Sequence, residues 1–73
     1  MDAHGLREVA LKAIGKNPAN EPDNPLFDSL DKLEIITAMH DTFGDQVSGV
    51  NDLDDFSDLE SLTAILKAHG VIS

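Results

Sequence analysis

From Ser29 to Phe43 the chain runs without a proline or a glycine, between a connection that holds Pro18, Pro22 and Pro25 and a closing Gly44. A run of this length lowers the energy of its apolar side only by coiling into a helix and laying that side against other elements. Projected at about 100° per residue, Leu33, Ile35, Ile36, Met39 and Phe43 fall in one broad arc, and Asp31, Glu34, Asp41 and Asp45 fall in another. One side is expected to face inward and the other to stay charged. Asp28 and Ser29 are residue types that begin helices, because their oxygens accept the free N–H groups of the first turn. Gly44 is the type that ends them.

The rest of the chain also predicts helices and no strand. Asp2 is expected to cap a first helix carrying Leu6, Val9, Ala10, Ala13 and Ile14 at three- and four-residue spacing, with Gly15 as its stop. Residues 16 to 27 combine three prolines with Asn17, Asn20 and Asn24, which predicts an ordered connection crossing the domain, its far end pinned by Leu26 and Phe27. After a loop containing Val47, Ser48, Gly49 and Val50, the run from Asp52 to Phe56 predicts a single helical turn. Ser57-Asp58-Leu59-Glu60 matches a capping box and begins a last helix, with Leu59, Leu62, Ile65 and Leu66 on its apolar side and Gly70 at its end. The expected fold is all-α, a small four-helix bundle of three main helices and one short helix with a long first connection, in one domain over residues 1–73. Phe43 and Leu66 are expected to be buried where the helices meet.

Size and charge exclude several functions. A chain of 73 residues builds one modest core, too small to enclose a deep catalytic cleft, so a free-standing enzyme is not expected. With no cysteine, neither a disulfide framework nor a thiolate zinc site is available, and packing must supply the stability. No apolar run reaches membrane-spanning length, and Met1-Asp2-Ala3-His4-Gly5 lacks the basic and apolar regions of a signal peptide, so the expected location is the cytoplasm. The net charge of −9 is uneven: residues 1–27 carry −1 and residues 28–73 carry −8. A surface of that sign repels nucleic acid and favours partners with Lys/Arg patches.

The most informative chemistry sits at the head of the long helix. An oxygen there lies beside unpaired backbone N–H groups and the positive end of the helix dipole, which suits Ser29 to a phosphodiester. Asp28-Ser29-Leu30-Asp31, followed by Leu33, Glu34, Ile35, Ile36, Ala38, Met39 and Phe43, resembles the second helix of acyl carrier proteins without a gap. Phe56-Ser57-Asp58-Leu59 resembles the approach to their last helix. The resemblance covers nearly the whole chain. It implies that Ser29 carries 4'-phosphopantetheine, transferred from coenzyme A by a phosphopantetheinyl transferase, and that acyl groups travel as thioesters on this arm. The implied partners are that transferase and acyl-transferring or synthase enzymes of fatty acid, polyketide or related biosynthesis that bear basic patches. They would meet Asp28, Leu30, Asp31, Glu34, Thr37 and Asp41 on a monomeric carrier. In similar carriers the acyl chain shelters inside the bundle, a space that Ile35, Met39, Leu53, Phe56 and Leu62 are placed to line here. The chain departs from the family at Leu26, where members often have glycine, at Phe27, at Thr37 and His40, and in its shorter first loop.

Other constellations do not hold together. Asp54-Asp55-Phe56-Ser57-Asp58 has a DDxxD spacing, but the chain is too short to surround a diphosphate substrate. A calcium loop started at Asp52 would place Phe56 and Thr63 at ligand positions. His4, His40 and His69 have no metal-ligand spacing, and no histidine neighbours Ser29 in sequence. The alternative function is an acidic helical interaction module that binds a basic partner and carries no prosthetic group.

Overall fold

The computed structural model describes residues 1–73 as four α-helices without a strand: α1 (Ala3–Ala13), α2 (Ser29–Phe43), α3 (Asp45–Ser48) and α4 (Leu59–Ala68). Two 3-10 turns, Pro18–Asn20 and Leu53–Asp55, punctuate the connections. Asp2 caps α1 by accepting the Gly5 N–H at 2.9 Å, and Gly15 follows in the left-handed region with φ 74°. Gly44 closes α2 with φ 57°, a conformation that costs a residue with a Cβ dearly. No helix is long and apolar enough to cross a membrane.

The core is one cluster to which all the main helices contribute. Leu6, Ala10 and Leu11 come from α1, Ile35 and Met39 from α2, and Leu59, Leu62 and Leu66 from α4. Phe27, Val47, Val50, Leu53, Phe56, Val71 and Ile72 close it from the connections and the C-terminal segment. Phe56 is its largest fully buried side chain, and Phe27 meets it edge-on at 5.8 Å between ring centroids. The residues proposed to line an acyl shelter, Ile35, Met39, Leu53, Phe56 and Leu62, all belong to this packed cluster. No buried side-chain polar atom lacks a hydrogen-bond partner.

The long first connection is ordered by one side chain and one short pairing. Arg7 on α1 donates from Nη1 to the carbonyls of Pro22 (2.8 Å) and Asp23 (3.3 Å), and from Nη2 to those of Pro18 and Glu21 (both 2.9 Å). Prolines lack an N–H, so a loop rich in them holds carbonyls that the backbone cannot serve, and a guanidinium fork supplies the donors. Further on, the Phe27 N–H donates to the Ser57 carbonyl at 2.9 Å, and the Leu59 N–H donates to the Pro25 carbonyl at 3.1 Å. Asn24 Oδ1 accepts the Glu60 N–H at 2.8 Å. These contacts tie the entrance of α2 to the entrance of α4.

Several sequence expectations are corrected. The short helix is α3 rather than the run from Asp52 to Phe56, which forms the tighter 3-10 turn Leu53–Asp55. Four residues are too few to show a helical period, so α3 leaves no sequence signature. Asp58, not Ser57, caps α4, and Ser61 completes its capping box in place of Glu60. Leu11 joins the buried side of α1. Phe43 is only half-buried, whereas Leu66 is fully buried. Leu33 is exposed because it lies two positions from Ile35, about 160° round the helix. Phe27 pins the far end of the loop by burial, while Leu26 points out and contributes only its backbone, as a bridge partner of Asp58.

Candidate functional site

Ser29 is the first residue of α2, and the structure separates it from the capping role. Asp28 is the cap: its carboxylate accepts the Asp31 N–H at 2.8 Å, and the Asp31 carboxylate accepts the Asp28 N–H at 3.4 Å. The first-turn donors that a Ser29 cap would have served are thus partly answered by its neighbours. The serine side chain is exposed, with its oxygen available for other chemistry. Its position is nevertheless fixed. Two residues before it, Phe27 is locked by its ring in the core and by its backbone to Ser57.

The exposed face of α2 is mixed rather than simply charged. Leu26, Leu30 and Leu33 are 75%, 64% and 64% exposed, which is unusual for three leucines within eight positions of a small domain. Leu30, Leu33 and Thr37 succeed one another at helical spacing, with Glu34 and Asp41 exposed on one side of them and His40 on the other. Thr37 spends its hydroxyl on the Leu33 carbonyl at 3.0 Å. Of the partner-facing residues expected from sequence, Asp28, Leu30, Glu34, Thr37 and Asp41 are exposed. Asp31 is half-buried and its carboxylate is engaged in the cap.

An open cleft of about 310 Å³ adjoins the serine, lined by Ser29, Lys32, Leu33, Ile36 and Asp54. It brings α2 together with the Leu53–Asp55 turn, so Asp54, remote from Ser29 in sequence, is its neighbour in space. Lys32 rests with its ammonium 5.6 Å from the centre of the Phe56 ring. Lys32 has no role in the sequence reading, and Asp54 enters it only through the DDxxD spacing, remote from Ser29. The signal that could have found Lys32 is its spacing of three from Ser29, which puts both on one side of the helix.

A second open cleft, between α1 and α4, is lined by His4, Arg7, Asp23, Asn24, Glu60 and Lys67 among others. Its most conspicuous cation, Arg7, is fully occupied with the loop carbonyls. The three histidines stay apart and exposed: His4 lies beside Glu8 at 3.6 Å, and His69 pairs with Asp52 at 2.9 Å.

No family profile, curated protein or solved structure matches this chain. The functional reading therefore rests on the geometry around Ser29 together with the sequence resemblance.

Proposed function

We propose that the chain is an acyl carrier protein that bears 4'-phosphopantetheine on Ser29. The observation that carries this reading is the division of labour at the head of α2: Asp28 and Asp31 complete the cap between themselves, which leaves Ser29 exposed on a rigidly anchored turn. A serine that stabilised the helix by capping would be a poor acceptor for a modifying enzyme. This one can be esterified without dismantling the first turn.

The residues at hand suit the group. The N–H groups of the first turn and the Lys32 ammonium favour an anion at the Ser29 oxygen, while Leu33 and Ile36 offer an apolar wall beside it. Once bound, the arm supplies a thiol on which acyl groups are held as thioesters. The chain's own part is to hold the arm at one place, present it on an exposed helix and raise its effective concentration at a partner's active site. The leucines of the α2 face give a docked enzyme apolar contact area, and Asp28, Glu34 and Asp41 give it a charge to recognise.

Incubation with coenzyme A and a promiscuous phosphopantetheinyl transferase tests the proposal. Intact mass is expected to rise by one phosphopantetheine, with the modified peptide containing Ser29. An unchanged mass favours the acidic interaction module, which would use the same apolar and acidic face with no prosthetic group.

A further inference from the structure

The cleft beside Ser29 is lined by a cation, Lys32. In a chain of net charge −9, the ion pairs are His4–Glu8, Lys12–Glu8, Lys16–Glu21 and His69–Asp52, and Lys32 is in none of them. It is half-buried, sits over the Phe56 ring and lines the cleft that opens on the serine. Ser29, Lys32, Leu33 and Ile36 occupy a single arc of about 100° on α2, and Asp54 faces them from the 3-10 turn. The capping carboxylates of Asp28 and Asp31 stand next to the serine, so an anion placed on Ser29 meets two negative neighbours. Lys32 is the one cation among the cleft-lining residues.

We propose that Lys32 is a positioning residue that draws the phosphodiester on Ser29 into this cleft and seats the first part of the pantetheine arm against Leu33 and Ile36. The inference rests on the carrier reading and adds a defined resting place for the arm. The order of groups along the arm matches the order of surfaces. The phosphate is an anion for the Lys32 ammonium. One methylene further on, a carbon bears two methyl groups, which suit the exposed leucine and the half-buried isoleucine. The hydroxyl and amide beyond them are donors, and Asp54 supplies an acceptor. The consequence is orientation: the arm lies along the junction of α2 and the Leu53–Asp55 turn until an enzyme lifts it out.

The test uses 13C-labelled protein loaded from unlabelled coenzyme A, with isotope-filtered cross-relaxation between the arm's paired methyl groups and the methyls of Leu33 and Ile36. Intact mass on the same samples reports loading separately. Cross-peaks to both residues are expected in the wild type. In Lys32→Met, which keeps the aliphatic stem over Phe56, they are expected to fall about two- to five-fold, the population change that an exposed ion pair commands. Lys32→Arg is expected to restore them, while the Ile35 and Met39 methyls stay unshifted in both variants. Loaded wild type without these cross-peaks, or loaded Lys32→Met with undiminished ones, overturns the seat while leaving the carrier reading intact. Failure of the mass to rise overturns both.

Discussion

Asp28 and Asp31 cap α2 reciprocally, each carboxylate accepting the other's backbone N–H, at 2.8 Å and 3.4 Å. Ser29 stands between them and is spared the task. In the proposed carrier, stability and modification would thus fall to different side chains at adjacent positions. Ser29→Ala is expected to abolish loading by the transferase while changing the free energy of unfolding by no more than about 0.5 kcal/mol, the range of substitutions that break no cap or core contact. Asp28→Ala is expected to cost about 1 kcal/mol. Mass spectrometry and urea denaturation of the two variants measure both effects. Loading that persists in Ser29→Ala would place the attachment elsewhere.

Arg7 makes a prediction about the connection that leads to that cap. Its guanidinium serves four loop carbonyls, and hydrogen bonds to a charged donor contribute about 1.5–3 kcal/mol in favourable cases. Arg7→Ala is expected to destabilise the fold by about 2 kcal/mol and to speed amide exchange in residues 16–24. Arg7→Lys is expected to recover only part of this, because a single ammonium cannot reproduce a planar fork. Full recovery in the lysine variant would show that charge, rather than fork geometry, holds the loop.

In the core, the structure redirects attention from Phe43 to Phe56. Phe56 is fully buried and packs edge-on against Phe27, whereas Phe43 lies only partly inside. Phe56→Ala is expected to cost about 3–5 kcal/mol, a large share of the stability of so small a domain. Phe43→Ala is expected to cost distinctly less. Equal denaturation midpoints for the two variants would contradict this packing.

What the sequence made legible follows from how local each signal is. The bounds of α2 could be read because Asp28, the absence of breakers and Gly44 are all local facts, and the structure repeats them. The entrance of α4 differs by one residue because Ser57 and Asp58 are both capping types: the Ser61 hydroxyl accepts from both of their N–H groups, and only the Ser61 N–H, which donates to Asp58 Oδ1, decides between them. Leu33 departs from the expected burial because the broad apolar arc is not one face. Its inner half is covered by α1, α3 and the Leu53–Asp55 turn, while nothing covers its outer edge. The candidate site is legible in sequence at Ser29 and along the acidic side of the helix. Asp54 is not, since its nearness to Ser29 depends on how the second connection folds back, and Lys32 gains meaning only with the cleft.

Acid should act on the entrance of α4. The Ser61 hydroxyl and backbone N–H, with help from Asn24, hold the Asp58 carboxyl below its ordinary value of 3.8. A carboxyl whose folded value is lowered stabilises the native state fully above the ordinary value and loses that contribution as pH falls through the folded one. Stability is therefore expected to decline below about pH 4. Ser61→Ala removes the largest cause, so the Asp58 carboxyl should titrate closer to 3.8 and less stability should be lost on acidification. Carbon NMR titration of the Asp58 carboxyl measures the shift. An unmoved titration in Ser61→Ala would assign the lowering to another group.

Charge on the exposed face of α2 should control how fast an enzyme finds the serine. Glu34 and Asp41 flank Leu30, Leu33 and Thr37, so a partner that covers the leucines must meet these carboxylates at the rim. Rim charges act chiefly on association rate and are screened by salt. Glu34→Lys is therefore expected to slow loading at low ionic strength, and added salt should bring the wild type towards the variant. From sequence alone Asp54 would have served as a distant control, but it lines the same cleft as Ser29 and is expected to matter too. Glu60 is the better control. It lies on α4 beside the other cleft, with His4 and Arg7, and carries the same charge. Initial loading rates of Glu34→Lys and Glu60→Lys at low salt separate the two causes: a slower rate confined to Glu34→Lys marks local recognition by α2. Equal slowing of both would mean that net charge alone attracts the enzyme and that the face of α2 is not what it reads.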